Sequence, residues 1–179
     1  MLDNPLITLI IALILAGETA MGIPGTPVQQ AFQPTQQGTN TQPTAFLTKL
    51  FDKRIGGQQV SDAWDEGTSR MISTRKQLYE TTFQASALSV QNPADQTQKT
   101  ASDILNLVAA ILQSPETIAA FQAQNMGILK ISDVRNPYFT DDRDRFEASP
   151  SLDFTISHSQ VLVLTGNPID HTELNILPV

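Results

Sequence analysis

"FEASPSLDFTISHSQVLVLTG", residues Phe146 to Gly166, alternates with a period of two. Phe146, Ala148, Leu152, Phe154 and Ile156 share one parity; Glu147, Ser149, Ser151, Asp153, Thr155 and Ser157 share the other. Successive side chains of a strand point to opposite faces, so the segment reads as a strand with one apolar and one polar face. "RMISTRKQLYETTFQASALSV", Arg70 to Val90, keeps the same period: Met71, Tyr79, Phe83, Ala85 and Ala87 oppose Arg70, Lys76, Glu80 and Gln84. Both runs exceed the usual strand of about 5–6 residues. A strand of ~20 residues spans roughly 65 Å, whereas a compact domain of this size has a gyration radius of only about 16 Å. Such strands either bend sharply or project beyond the globule. Pro150 favours a bend or an edge position. Projecting strands expose edges that need partners, which points to an assembly subunit.

The segments around these strands supply helices. "PLITLIIALILAG", Pro5 to Gly17, is apolar but shorter than the roughly 18–20 residues of a membrane span. Asp3, rather than Lys or Arg, precedes it, which is wrong for a signal peptide. Asn4-Pro5 reads as an N-cap and first helical position, and Gly17 as the stop, so a buried helix is favoured over a signal or anchor. "GIPGTPVQQ" is a turn-rich connector, and Val28 to Gln33 a short strand ending at Pro34. "TAFLTKLFDKRI", Thr44 to Ile55, puts Phe46 and Leu50 on one strand face. Leu47 and Phe51 break the alternation, so the strand is either covered on both sides or bulged. Gly56-Gly57 is expected to end it, and Ser61 to Ser69 to form a loop.

From Thr100 the period changes: Ile104, Leu105, Leu107, Val108, Ile111 and Leu112 form one helical face, with Thr100 and Asp103 as a capping pair. Ser114-Pro115-Glu116 starts another helix, running to about Gln124 and closed by Gly127. "GILKISDV" is a strand and "RNPYFTDDRDRFEA" a charged loop. The expected fold class is α+β: an N-terminal helix, a mainly antiparallel sheet with long strands, and two helices packed on one face. Residues 1–166 read as one domain and 167–179, with Pro near both ends, as an extended C-terminal arm.

Composition narrows function by exclusion. Charged residues are 16% of the 179, the net charge is -7, and much of the remaining polarity is Gln, Thr, Ser and Asn. An acidic balance argues against a sequence-independent DNA-binding surface. With no cysteine and two histidines, His158 and His171, neither a disulfide framework, a thiolate site nor a multi-histidine metal centre is available in one chain. Asp141, Asp142 and Asp144 could hold a cation, but Arg143 and Arg145 alternate with them and no EF-hand glycine and glutamate follow; a salt-bridged loop or subunit contact is the plainer reading. Asp153 and His158 suggest a hydrolase, yet they differ by five in a strand and face opposite ways, and no G-x-S-x-G elbow or phosphate loop exists. Trp64 is either an interface anchor or folded back on the domain. Arg54, Arg70, Arg75 and Lys76 either face a channel or are ordinary solvated charges.

Three stretches, "FQPTQQGTNTQPTAFLTKLFDKRIGG", "QLYETTFQASAL" and "NPYFTDDRDRFEASPSLDFTISHSQVLV", resemble the tail-terminator or neck-terminator proteins of tailed bacteriophages, in the same order from Phe32 to Val163. The chain departs from that pattern at Gly57-Gln58-Gln59, where a bulkier, more basic stretch is expected. The resemblance implies a non-enzymatic virion protein with no cofactor and no metal. It implies a ring, usually of six subunits, at the head-proximal end of the tail tube, assembled in the host cytoplasm. Implied partners are the tail tube protein, head–tail connector or neck proteins and, further out, the tail sheath; DNA only passes through the channel, and no membrane is involved. A head-completion adaptor or a tube-like subunit is the alternative. Within this frame the Gln/Thr/Pro loop supplies neutral hydrogen bonds without burying charge, which suits a subunit interface. Gln33, Thr35, Gln36 and Gln37, with Asp142, Arg143, Asp144 and Arg145, are the expected contact residues.

Overall fold

A computed structural model describes residues 2–23, 25–31, 43–89, 97–140, 146–148 and 150–166. Helix α1 (Asp3–Ala20) is followed by strands β1 (Val28–Gln30), β2 (Thr44–Asp65) and β3 (Arg70–Leu88), helices α2 (Ala101–Leu112) and α3 (Pro115–Ala123), and strands β4 (Gly127–Ile131), β5 (Tyr138–Thr140), β6 (Phe146–Ala148) and β7 (Ser151–Gly166). The main sheet has the order β1-β2-β3-β7-β4; only β1 runs parallel to its neighbour. The chain is thus α+β, with a mostly antiparallel sheet and long strands.

One face of the sheet carries the core. Ala45 and Leu47 of β2, Phe83, Ala85 and Ala87 of β3, and Leu152, Phe154 and Ile156 of β7 are buried against Leu6, Ile7, Ile10 and Ile14 of α1, Ile104, Leu105, Val108, Ile111 and Leu112 of α2, and Phe121 of α3. Register explains the grouping: Ala85 faces Leu47 and Leu152, and Phe83 faces Phe154, with stacked rings 5.6 Å apart. The opposite parity, Thr82, Gln84, Ser86, Asp153 and Thr155, is half-buried and polar. The helix starts follow local chemistry. Thr100 and Asp103 form a capping box, and the Ser114 hydroxyl accepts from the Thr117 amide at 3.2 Å with Pro115 opening the helix.

Several boundaries differ from the sequence reading. α1 begins at Asp3 after Leu2, without a side-chain cap, and runs past Gly17 to Ala20. Gly17 is there for contact: a Cβ on it would lie 2.4 Å from Ile111 Cγ2. α1 is long and apolar enough to cross a membrane, and its Leu6–Ile10–Ile14 face is built into the core. Gly56-Gly57 does not end β2. Gly56 takes φ +64° within a bulge between Ile55 and Gln59, and the strand continues to Asp65, leaving only a short turn before Arg70. A second register shift at Lys49/Phe51 explains the broken alternation there. α3 is closed by Asn125, in the left-handed region at φ 54°, and Gly127 opens β4. Phe146–Ala148 is not part of the last long strand: β6 pairs with β5 in a separate two-stranded sheet, so both flanks of the expected charged loop are strand, and β7 starts after Pro150.

Candidate assembly surface

Beyond the helices, β2, β3 and β7 continue together as a three-stranded ribbon. Ile55, Leu78 and Ser159 share one rung of the ladder; Trp64, Met71 and Gly166 share the last complete one. About eight residues of β3 therefore project, roughly 26 Å. Among the described residues, no strand lies beside β2 after Leu47 or beside β7 from Gln160 to Gly166, so both edges of the ribbon present backbone donors and acceptors.

Both faces of the ribbon carry exposed apolar residues among polar ones. The register places Val60, Trp64, Met71, Leu162 and Leu164 on the helix-side face and Ile55, Leu78, Val161 and Val163 on the other. Val60 is 57%, Trp64 51%, Leu162 51% and Val163 57% exposed. Exposed apolar residues scattered singly need no explanation, but a contiguous patch marks a binding surface. The sequence carried a signal for it: in "VLVL", Val161 to Leu164, alternation fails because both faces are apolar. Trp64, expected in a loop, stands on a strand at the ribbon tip. Arg75 and Lys76 lie along the ribbon, Arg54 stands at its base, and Arg70 opens β3 at its tip.

Where ribbon meets globule, a chain of hydrogen bonds ties α1 to the sheet. Lys49 Nζ donates to Asp3 at 2.7 Å and to Asp52 at 2.5 Å; the Thr81 hydroxyl donates to Asp52 at 2.6 Å. His158 Nε2 lies 2.8 Å from that hydroxyl, whose proton is already given to Asp52, so Nε2–H is the donor. His158 Nδ1 is buried without a hydrogen-bond partner among the described residues, and the ring stacks on Tyr79 at 5.8 Å. Burial lowers the His158 pKa and keeps the ring neutral. Burial acts to raise Asp52, but hydrogen bonds from Lys49 and Thr81 and the Lys49 charge outweigh it and hold the carboxylate low. A cleft of about 510 Å³ opens beside this network between residues 2–5 and the Tyr79, His158 and Gln160 side chains.

Asp153 lies on the other face of the sheet. It accepts from Gln84 at 2.9 Å and pairs with Arg135, so it takes no part in orienting His158. Among the described residues no group of three or more acidic or histidine side chains could hold a metal ion. The expected contact residues Gln33, Thr35, Gln36 and Gln37, and Asp142, Arg143, Asp144 and Arg145, lie outside the described residues, as do His171 and residues 167–179.

Two kinds of similarity bear on this surface. The sheath/tube terminator of an extracellular contractile injection system, PVC, in its extended state superposes with a TM-score of 0.52 at 9% identity; the match covers 100% of this chain and 64% of that one, and supports the fold. This chain thus spans 64% of the terminator's length. A chain of the virion of a native gene transfer agent particle aligns at 14% identity over 83% of this chain and 81% of its own, with a TM-score of 0.21, too low to carry an argument. No curated protein matches. The family described as E217 gateway protein gp29 matches residues 5–166, which include every core residue and the whole ribbon. The chain belongs to the E217 gateway protein gp29 family.

Proposed function

We propose that this chain is a ring subunit of the virion. It caps the head-proximal end of the tail tube and joins the tail to the neck or connector of the head. The observation that carries the reading is the ribbon: two edges unpaired among the described residues, and exposed apolar residues on both faces, on a projection outside the core. Its two edges belong to different strands, so a contact between the β2 edge of one copy and the β7 edge of the next is heterologous. Heterologous contacts close into rings when the rotation permits. A structural role agrees with the His158–Thr81–Asp52–Lys49–Asp3 chain, which joins elements of the fold to one another. In this reading residues 1–166 are one domain and 167–179 an arm. The loop residues Gln33, Thr35, Gln36 and Gln37 and the segment Asp142–Arg145 add contacts between subunits or to the tube. DNA passes through the channel without being read.

Light scattering after size exclusion, with negative-stain images of the same peak, tests the proposal. A discrete closed ring is expected, six subunits being the first expectation. Open tubes would overturn the capping role in favour of a tube subunit. A monomer that also fails to cap purified tail tubes would overturn the ring.

A further inference from the structure

We propose that Gln77 is the positioning residue of the assembly surface: its side-chain amide latches the β2 bulge and so fixes the course of outer β2. The consequence for contact between copies rests on the ring reading; the latch itself does not. At the base of the ribbon Ile55 pairs with Leu78 and Gln59 with Lys76, so residues 56–58 of β2 stand opposite Gln77 alone. The excess on β2 is an even number of residues, so its faces are the same on both sides of the bulge, while the ladder between them is interrupted. Gly56 turns the backbone there at φ +64°. β3 and β7 pass this level in unbroken register. The bulge thus concerns β2 alone, the strand that carries Val60, Trp64 and one of the ribbon's two open edges.

A bulge takes backbone groups out of the ladder, and those groups need other partners. Gln77 supplies them. Its Nε2 donates to the Ile55 carbonyl at 3.1 Å and to the Leu78 carbonyl at 3.1 Å, and lies 3.5 Å from the Gly56 carbonyl. Carbonyl oxygens only accept, so the end of the side chain that faces them is the NH2 group, its two protons shared among three acceptors. One half-buried side chain thereby joins β2 before the turn, the turn itself and β3 beside it. Among the described residues no other side chain bonds to residues 55–59. The cross-strand pairs from Gln59 to Asp65 hold the outer ladder together, and the latch sets the bend and twist with which outer β2 leaves the globule. A neighbouring copy then meets Val60, Trp64 and the β2 edge in one orientation.

The chain has no cysteine, so spin labels can be placed at will. Labels on Ala63→Cys in outer β2 and Ala119→Cys on α3, both exposed, report the distance from ribbon to globule. The labelled chain is diluted with unlabelled copies of the same variant, so that only distances within one copy are read. Association is measured by light scattering on unlabelled chains. Gln77→Leu keeps the bulk and removes the donors; Gln77→Glu turns an acceptor on the three carbonyls. Both should broaden the parent's distance distribution and weaken association at least ~10-fold. Gln160→Leu, on the same rung, makes none of these bonds and should keep the parent's distances. Distances as narrow as the parent's in both Gln77 variants would overturn the latch, as would equal broadening in Gln160→Leu. Broadened distances with the parent's association would overturn the positioning role. A parent that never associates would remove the ring reading, and the distances alone would then decide the latch.

Discussion

Gly17 shows how a single missing Cβ sets the approach of two helices. The position lies inside α1, where alanine would ordinarily gain about 1 kcal/mol in helix propensity. Against that, an added Cβ meets Ile111 of α2 at 2.4 Å. We expect Gly17→Ala to destabilise by about 1–3 kcal/mol in urea titration, and to cost less in an Ile111→Ala background, which lacks the Cγ1 and Cγ2 atoms that the added Cβ meets. His158 makes the second residue-scale prediction. Its folded pKa lies below the ordinary 6.5, so between the two values the unfolded chain binds more protons. The stability it contributes is complete above about pH 6.5 and is lost as pH falls toward the folded value, at no more than about 1.4 kcal/mol per pH unit. The urea midpoint should fall from about pH 7.5 to about pH 5.5, and His158→Gln should flatten that slope. Glu18 has the opposite sign. Burial raises its pKa, the Thr26 amide and Lys99 only partly opposing, so its contribution weakens as pH rises from 4.5 through the folded value. The parent-minus-variant difference isolates the histidine. Neither residue's environment was legible beforehand: Gly17 read as a helix stop and His158 as a strand residue facing away from Asp153, because what decides both is a neighbour far away in the chain.

Elements were legible where their determinants are local. The starts of α2 and α3 follow from a capping box and a Ser-Pro pair a few residues long, and both appear where the sequence places them. The core halves of β3 and β7 follow from period two. Ends and interruptions were less legible, since a glycine reads alike as a stop or as a bulge. Gly56 is a bulge: it has φ +64°, and a Cβ added there would have no described atom within 4 Å, so its requirement is backbone conformation alone. Gly56→Ala should therefore cost about 1 kcal/mol by urea titration. Its β2–β3 pairing should persist on both sides of the bulge, as hydrogen exchange of the amides near Lys53 and Val60 would report. Collapse of the pairing beyond Ile55 would mean that the bulge, rather than the cross-strand pairs, holds the outer ribbon together.

For the whole molecule, stability and assembly reside in different parts. The core residues run from Leu6 to Ile156, whereas the exposed apolar residues of the ribbon touch no helix core. Leu162→Asp should change the urea midpoint by no more than about 0.5 kcal/mol equivalent, as for surface positions in general. It should weaken self-association at least ~10-fold by light scattering, the cost of placing a carboxylate in a desolvated contact. Equal losses of stability and assembly would show that the ribbon belongs to the fold rather than to the interface. The order of amino acids alone specified the α+β class, the capped helices, the apolar parity of the long strands and, from strand length against domain size, that these strands either bend or project. Those properties depend on residues close together in the chain or on length alone. It took the folded arrangement to establish that β2 runs through Gly56 to Asp65, that β6 leaves the main sheet, that Gly17 fits against Ile111, and that His158 joins Thr81, Asp52 and Lys49. Each of these depends on register and packing between distant segments, and a one-residue change of register would turn every side chain of a strand to its other face.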